Sequence, residues 1–303
     1  MRAAQIIALV RLGRPLFLGG GFILYALGAA IASTTGHAID VPTYALGQGV
    51  VTSFQLMTHY ANDYFAFEAD RANLTPTQWS GGSRVLANDE LPRGVALIAA
   101  LVLAACGVIL AGVLAARGGG CTLAIVVPMA VLAWEYSAPP LRLCATGLGE
   151  LTTAIVVTGL VPLLGFTLQA PDRIGLALLG LAILPLALLQ IAMLLAIEFP
   201  DAAGDAATGK RTLVVRLGAT RAARLYAALT ALAFAWLPVA VALGLPFRVA
   251  ACAAIPLPIS AWRILAIADH RDPARFERLT LFAVFALVAT SLCELAGVLS
   301  LRA

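Results

Sequence analysis

The sequence predicts an all-α polytopic membrane protein with nine transmembrane helices and a cytoplasmic N-terminus. Three observations carry that expectation. Apolar residues make up 61% of the 303 and charged residues only 12%, which excludes a soluble globular chain. The apolar runs are long and unbroken, matching the about 20 helical residues that cross about 30 Å of hydrocarbon, whereas a membrane barrel shows alternating segments of about ten. Basic residues, finally, recur in every second loop, as cytoplasmic loops require.

Stretches bounded by charge or turn residues place the spans at 15–33, 43–62, 94–116, 120–137, 148–168, 174–197, 222–243, 247–268 and 280–300. The first follows a basic start and contains Ala30-Ile31-Ala32, which looks like a cleavage site, but its apolar stretch is too long for a signal peptide. With the N-terminus inside, the cytoplasmic segments carry Arg2, Arg11 and Arg14, then Arg71, Arg84 and Arg93, then Arg142, then Lys210, Arg211, Arg216, Arg221 and Arg224, and last Arg263, Arg271, Arg275 and Arg278. That is 16 of the 20 basic residues, leaving Arg117, Arg173, Arg248 and Arg302 outside. A missed helix would reverse every later loop, so the asymmetry supports the count. No linker or low-complexity tract interrupts the chain, which reads as a single membrane domain over 1–303. The five cysteines lie scattered, mostly in apolar runs, and behave as small hydrophobes.

Thirteen of the sixteen acidic residues fall on the same cytoplasmic side. Two clusters stand out: NDYFAFEAD at 62–70, where the second span ends, and EFPDAAGDAATGKRTL at 198–213, where the sixth ends. On a continuous helix Asn62, Asp63, Ala66 and Asp70 share an arc of roughly 100° while Glu68 points away; Glu198, Asp201 and Asp205 share about 60° if Pro200 only kinks the helix. The first arc continues into the membrane through Thr52, Gln55 and His59, which either bond to neighbouring helices or line a pocket. Like charges on one face repel, and acids at membrane depth mark function, with a hard divalent cation as their natural partner. Mg²⁺ takes a few carboxylates and completes its octahedron with water and phosphate oxygens, so the two clusters suggest a diphosphate held through Mg²⁺. Basic residues beside the acids, Lys210 and Arg211 and also Arg71 and Arg84, fit that use.

NDYFAFEAD, SGGSRVL at 80–86, YSAPPLRL at 136–143 with GLGE at 147–150, and DAAGDAATGKRTLVVRLG at 201–218 resemble, in order and spacing, the UbiA superfamily of intramembrane prenyltransferases. SGGSRVL and GLGE look most like the menaquinone-pathway branch, which prenylates 1,4-dihydroxy-2-naphthoate. The resemblance implies nine helices around a cavity in the cell's inner membrane, with a cytoplasmic active site that moves an isoprenyl chain from polyprenyl diphosphate to an aromatic acceptor. It implies Asn62, Asp63, Asp70, Asp201 and Asp205 as catalytic residues, with Asp63, Asp70, Asp201, Asp205 and Glu198 on Mg²⁺. Arg142, Lys210, Arg211 and Arg71 would bind the diphosphate. Tyr136 would face the allylic cation, and Ser80, Ser83, Arg84, His59 and Gln55 would meet the acceptor, although Gly81 and Gly82 equally suit a simple turn. The lipid bilayer is the other expected partner; nucleic acid is not.

One departure matters. Where the family carries Asp four residues after the Asn, this chain has Ala66, in the middle of the acidic face, and restoring a carboxylate there is expected to raise Mg²⁺-dependent transfer. A milder one is Arg142 in place of a Lys nearer Tyr136. Two other readings remain open from residues alone: the same fold with another acceptor or a cyclase activity, and an ion-coupled transporter, which leaves the basic motif and SGGSRVL without a use.

Overall fold

A computed structural model describes residues 3–117, 120–265 and 270–301, and among these every regular element is helical. Arg2, Arg302 and the last residues of the eighth expected span, 266–268, lie outside the described residues. The helices are α1 (Ala3–Leu12), α2 (Pro15–Thr34), α3 (Val41–Phe65), α4 (Phe67–Ala72), α5 (Arg93–Ala116), α6 (Gly120–Glu135), α7 (Gly149–Thr153), α8 (Val161–Thr167), α9 (Leu176–Ala207), α10 (Leu213–Leu217), α11 (Ala219–Ala242), α12 (Phe247–Ala253), α13 (Leu257–Leu265) and α14 (Phe276–Leu299). A π-helical stretch, Ala154–Leu160, joins α7 to α8.

Among the described residues, six helical stretches are long and apolar enough to cross a membrane: α2, α5, the α7–α8 unit, α9, α11 and the stretch ending in α14. The α12–α13 pair, bent by 44°, makes a seventh if it counts as one span. Nine spans were expected, and the two that fall short do so for different reasons. The 25 residues of α3 reach about 37 Å at about 1.5 Å per residue, but its polar stripe lowers the hydropathy. The 16 residues of α6 contain Pro128 and are short for the bilayer.

α2 packs on α8, α3 on α5, α9 on α11 and α14, and α14 closes back on α2. The α2–α8 crossing is backbone against backbone: a Cβ on Gly28 would sit 1.9 Å from the Pro162 carbonyl oxygen, and one on Gly165 2.3 Å from that of Tyr25. Small residues allow such approach where dispersion, not water exclusion, drives helix association.

The 32 residues of α9 span about 48 Å, well beyond a hydrocarbon core of about 30 Å, so one end projects past it. The helix runs through Pro200 unbroken and carries Glu198, Asp201 and Asp205 on its last turns. Opposite, α3 does not continue through the first acidic motif. It ends at Phe65, turns at Ala66 and resumes as α4, so the continuous projection over 62–70 is corrected to two short helical faces. α4 lies against α9 at Gly204, where a Cβ would be 3.0 Å from the Ala69 carbonyl oxygen.

Candidate active site

A cavity of about 220 Å³ opens between α2, α3, α6, the π-helical stretch, α9 and α14. Its inner wall is apolar, with Leu24, Phe54, Met129, Val157, Met193 and Leu287. Its polar mouth carries Arg14, Asn62, His59 and Tyr136. Beside it lies a second space of about 240 Å³, lined by Ala66, Glu68, Ser137, Arg142, Cys144, Thr208 and Lys210. An apolar pocket thus adjoins a chamber carrying two cations.

The loop between α4 and α5 ties the two acidic motifs together. Gly81 N donates to Asp201 Oδ2 at 3.1 Å, and Asn73 Nδ2 donates to Asp201 Oδ1 at 2.7 Å. Ser83 donates to Asp63 from its backbone N at 3.1 Å and from its hydroxyl, and Arg84 donates to the Asp70 carbonyl oxygen. Gly81 and Gly82 both sit at φ +72°, the left-handed region that favours glycine, and a Cβ on Gly82 would lie 2.2 Å from Asp70 Oδ2. Ser80, Ser83 and Arg84, expected at the acceptor, therefore turn toward the acids that line the site and stay out of the apolar cavity's wall.

Of the other expected residues, Gln55 and His59 line the apolar cavity, fixed by the Phe17 and Gly13 carbonyl oxygens at 2.7 Å each, and Tyr136 joins them at the mouth. Arg142 and Lys210 face the second space. Arg71 and Arg211 do not: both are exposed and outside both spaces, with Arg71 stacked 5.7 Å above the Phe67 ring. Glu68, expected to point away, is exposed and 3.8 Å from Arg93, yet it lines the rim of the second space. Glu198 sits not beside Asp201 alone but within hydrogen-bond reach of the Glu150 carboxyl.

Several contributors escaped the sequence reading. Arg14 Nη2 donates to Asp63 Oδ1 at 2.6 Å and to Asn62 Oδ1 at 3.3 Å. Phe17 stands edge-on to both His59 and Trp79 at centroid distances of 6.1 and 5.6 Å, giving the mouth an aromatic wall. Glu150 Oε1 accepts from Leu213 N at 3.1 Å, so the glutamate of GLGE anchors the segment that carries Lys210. The proximity of Arg14 to Asp63 across 49 residues has no sequence signal, whereas Glu150 lies within the GLGE motif.

Electrostatics sets the two sides apart. Burial, then the neighbouring Asp63, pushes the Asp70 carboxyl up to about 8, with Arg14 and Lys210 opposing. Burial alone would lower the Lys210 pKa, but Cys144, Asp205 and Asp201 outweigh it and raise it, keeping the ammonium charged 3.0 Å from Asp205 Oδ1. Oxygens suited to a hard cation remain: Asp205 Oδ2 and Glu198 Oε2 are buried without a hydrogen-bond partner. Among the described residues no three His, Cys, Asp or Glu side chains group closely enough to hold a metal alone. That is compatible with Mg²⁺, which takes one or two carboxylates and draws its other ligands from water and phosphate. The Asp201–Asp205 side therefore fits a magnesium ion shared with a bound diphosphate. The Asn62–Asp63 side does not, because a guanidinium is already ion-paired with Asp63, whereas Asp201 accepts from the neutral donors Asn73 and Gly81.

The profile of the UbiA prenyltransferase family matches residues 22–289. No curated protein matches the chain. Among solved structures, a UbiA homologue from Archaeoglobus fulgidus bound to GPP and Mg²⁺ superposes with a TM-score of 0.69 at 17% identity, covering 97% of this chain and 99% of that one. A digeranylgeranylglyceryl phosphate synthase gives 0.66 at 18% identity, covering 98% and 99%. An apo UbiA homologue from Aeropyrum pernix K1 gives 0.64 at 18% identity, covering 92% and 97%. At such identities these likenesses establish the fold.

Proposed function

Because the chain belongs to the UbiA prenyltransferase family and is an enzyme of that class, we propose that it transfers an isoprenyl chain from a polyprenyl diphosphate to an aromatic acceptor of the 1,4-dihydroxy-2-naphthoate type, in quinone biosynthesis. The observation that carries the reading is the junction of the two spaces: an apolar cavity of about 220 Å³ meeting a chamber lined by Arg142 and Lys210 beneath two acidic motifs. That shape suits an amphiphile with a hydrocarbon tail and a doubly anionic head. An ion-coupled transporter gains nothing from it.

Asp201, Asp205 and Asp70 are the residues that would hold Mg²⁺, with Glu198 behind them. Bound there, the cation would stabilise charge gathering on the diphosphate as the allylic C–O bond breaks. Lys210 and Arg142 share that task from the second space as fixed cations. Tyr136, at the mouth between both spaces, presents its ring to the allylic carbon, where π density favours positive charge. Phe17, His59 and Trp79, which line the same cavity as Tyr136, would offer the acceptor ring edge and face contacts. The apolar wall keeps water from intercepting the cation. SGGSRVL and GLGE support the naphthoate acceptor by resemblance, and with it a plasma-membrane location, while the charge pattern of the loops supports an N-terminus and site on the cytoplasmic side and nine crossings.

The test is a turnover assay in lipid with labelled polyprenyl diphosphate, Mg²⁺ and a panel of acceptors. Prenylated dihydroxynaphthoate is the expected product. Diphosphate release without any acceptor would instead indicate a cyclase, and transfer only to a non-aromatic alcohol would replace the acceptor class.

A further inference from the structure

The Asn62–Asp63 end of the first acidic motif is built unlike a metal site. Asp63, 2% exposed, accepts at Oδ1 from Arg14 Nη2 at 2.6 Å and at Oδ2 from Ser83 N at 3.1 Å and the Ser83 hydroxyl. The Asn62 amide is used at both ends: Oδ1 accepts from Arg14 at 3.3 Å, and Nδ2 donates to Ser137 Oγ at 3.0 Å. Position 66, on the turn between α3 and α4, offers no side-chain oxygen because it is alanine. A magnesium ion at about 2.1 Å from Asp63 would have to evict a guanidinium from a largely buried ion pair and would find no second anionic ligand from position 66.

Arg14 is also held ready for an anion. It stands in the left-handed region at φ 48° immediately before Pro15, which fixes its place at the start of α2. Only Nη2 is engaged. Nε is buried without a partner, and among the described residues Nη1 makes no hydrogen bond, although the side chain lines the mouth of the cavity. A guanidinium tethered at one corner presents its remaining donors as a fork suited to phosphate oxygens.

We propose that in this chain the guanidinium of Arg14, not a divalent cation, supplies the positive charge at the Asn62–Asp63 motif, and that a single cation, held from the Asp70, Asp201 and Asp205 side, serves the diphosphate. The loss of the carboxylate at position 66 and the anchoring of Arg14 on Asp63 are two sides of one replacement: an exchangeable charge has become a covalently attached one. This rests on the diphosphate reading given above, and the experiment separates the two.

Manganese, which is visible by electron paramagnetic resonance, substitutes for magnesium in protein purified into nanodiscs, with a prenyl thiolodiphosphate as an uncleavable donor analogue. The expected result is about one bound Mn²⁺ per chain, lost in Asp205→Asn but changed less than about threefold in Asp63→Asn, whereas the double variant Arg14→Gln/Ala66→Asp takes up about one more. Two Mn²⁺ ions on the unaltered protein, or an Asp63→Asn defect as large as that of Asp205→Asn, would overturn the replacement and leave the diphosphate reading standing. Failure of the unaltered protein to bind Mn²⁺ with the analogue present would sink both. Should the double variant not fold, the stoichiometry of the unaltered protein and the two single Asp variants still decide.

Discussion

Gly82 shows how closely the acids are fitted. Its φ of +72° already disfavours a side chain, and an added methyl would overlap Asp70 Oδ2 at 2.2 Å. Gly82→Ala is therefore expected to cost about 1 kcal/mol in backbone strain and to push Asp70 off its position, lowering turnover more than about tenfold while the melting temperature falls only modestly. Turnover and thermal unfolding measured on the same preparation check it; equal losses in both would mean a folding defect alone. Asp70 itself sets a pH dependence. Its carboxyl titrates near 8, above the usual carboxylate range, so without a cation it adds stability at low pH that is lost as pH rises through about 8. A cation binding there must expel the proton, so Mg²⁺ affinity should climb with pH toward about 8 and level above it, and the rise in melting temperature given by Mg²⁺ should be larger at about pH 9 than at about pH 6. A flat dependence would remove Asp70 from the cation's neighbourhood. These acids could be read from the sequence because like charges bunched at helix ends have no structural use. Their hydrogen-bond partners could not, because Asn73, Gly81 and Ser83 reach them through a loop whose path no periodicity encodes.

Helices were legible where composition is uniform and less so where function intrudes. The runs that become α5 and α11 are apolar almost throughout, and their bounds fall within a few residues of those expected. α9 continues through Pro200 as expected, which keeps Glu198, Asp201 and Asp205 on one helix. The turn at Ala66 was not foreseen, since a projection over 62–70 assumes the continuity that the chain abandons there. The π-helical stretch at Ala154–Leu160 was equally hidden: its β-branched residues and Gly159 weaken an α-helix without specifying a wider turn, and the stretch packs against α9. Packing also makes the Gly28 and Gly165 pair indispensable. With a Cβ at position 28 only 1.9 Å from the Pro162 carbonyl oxygen, α2 and α8 must separate, and Gly28→Ala is expected to destabilise the protein by about 1–3 kcal/mol. Gly19 of the same helix, around which a Cβ meets nothing within 4 Å, provides the control: Gly19→Ala should leave the melting temperature in detergent unchanged or slightly raised by its helix propensity. Equal effects of the two substitutions would show that helix propensity, not the crossing, governs.

At the scale of the molecule, the long helices enclose an apolar passage beside a separate charged space, and the length of that passage should limit the donor. Gly20 on α2 faces this passage with nothing within 4 Å of its would-be Cβ, so a large side chain there can enter the cavity without touching the helix contacts that hold α2 in place. A leucine side chain occupies a substantial share of about 220 Å³ and narrows the space between Leu24 and Val288 where a tail would run. Gly20→Leu is expected to keep the melting temperature and the Mg²⁺ requirement, because the acids and Lys210 stand at the other end. It should raise KM for long-chain donors by about tenfold or more, as each excluded isoprene unit forfeits the transfer energy of several buried methylene groups at about 0.8 kcal/mol each. Short donors, whose tails stop before the leucine, should be used nearly as before. The measurement is kcat/KM for a series of prenyl diphosphates of increasing length on both proteins. A uniform loss across the series would mean that the tail does not lie along α2, and the passage would then have to be entered from another face of the bundle.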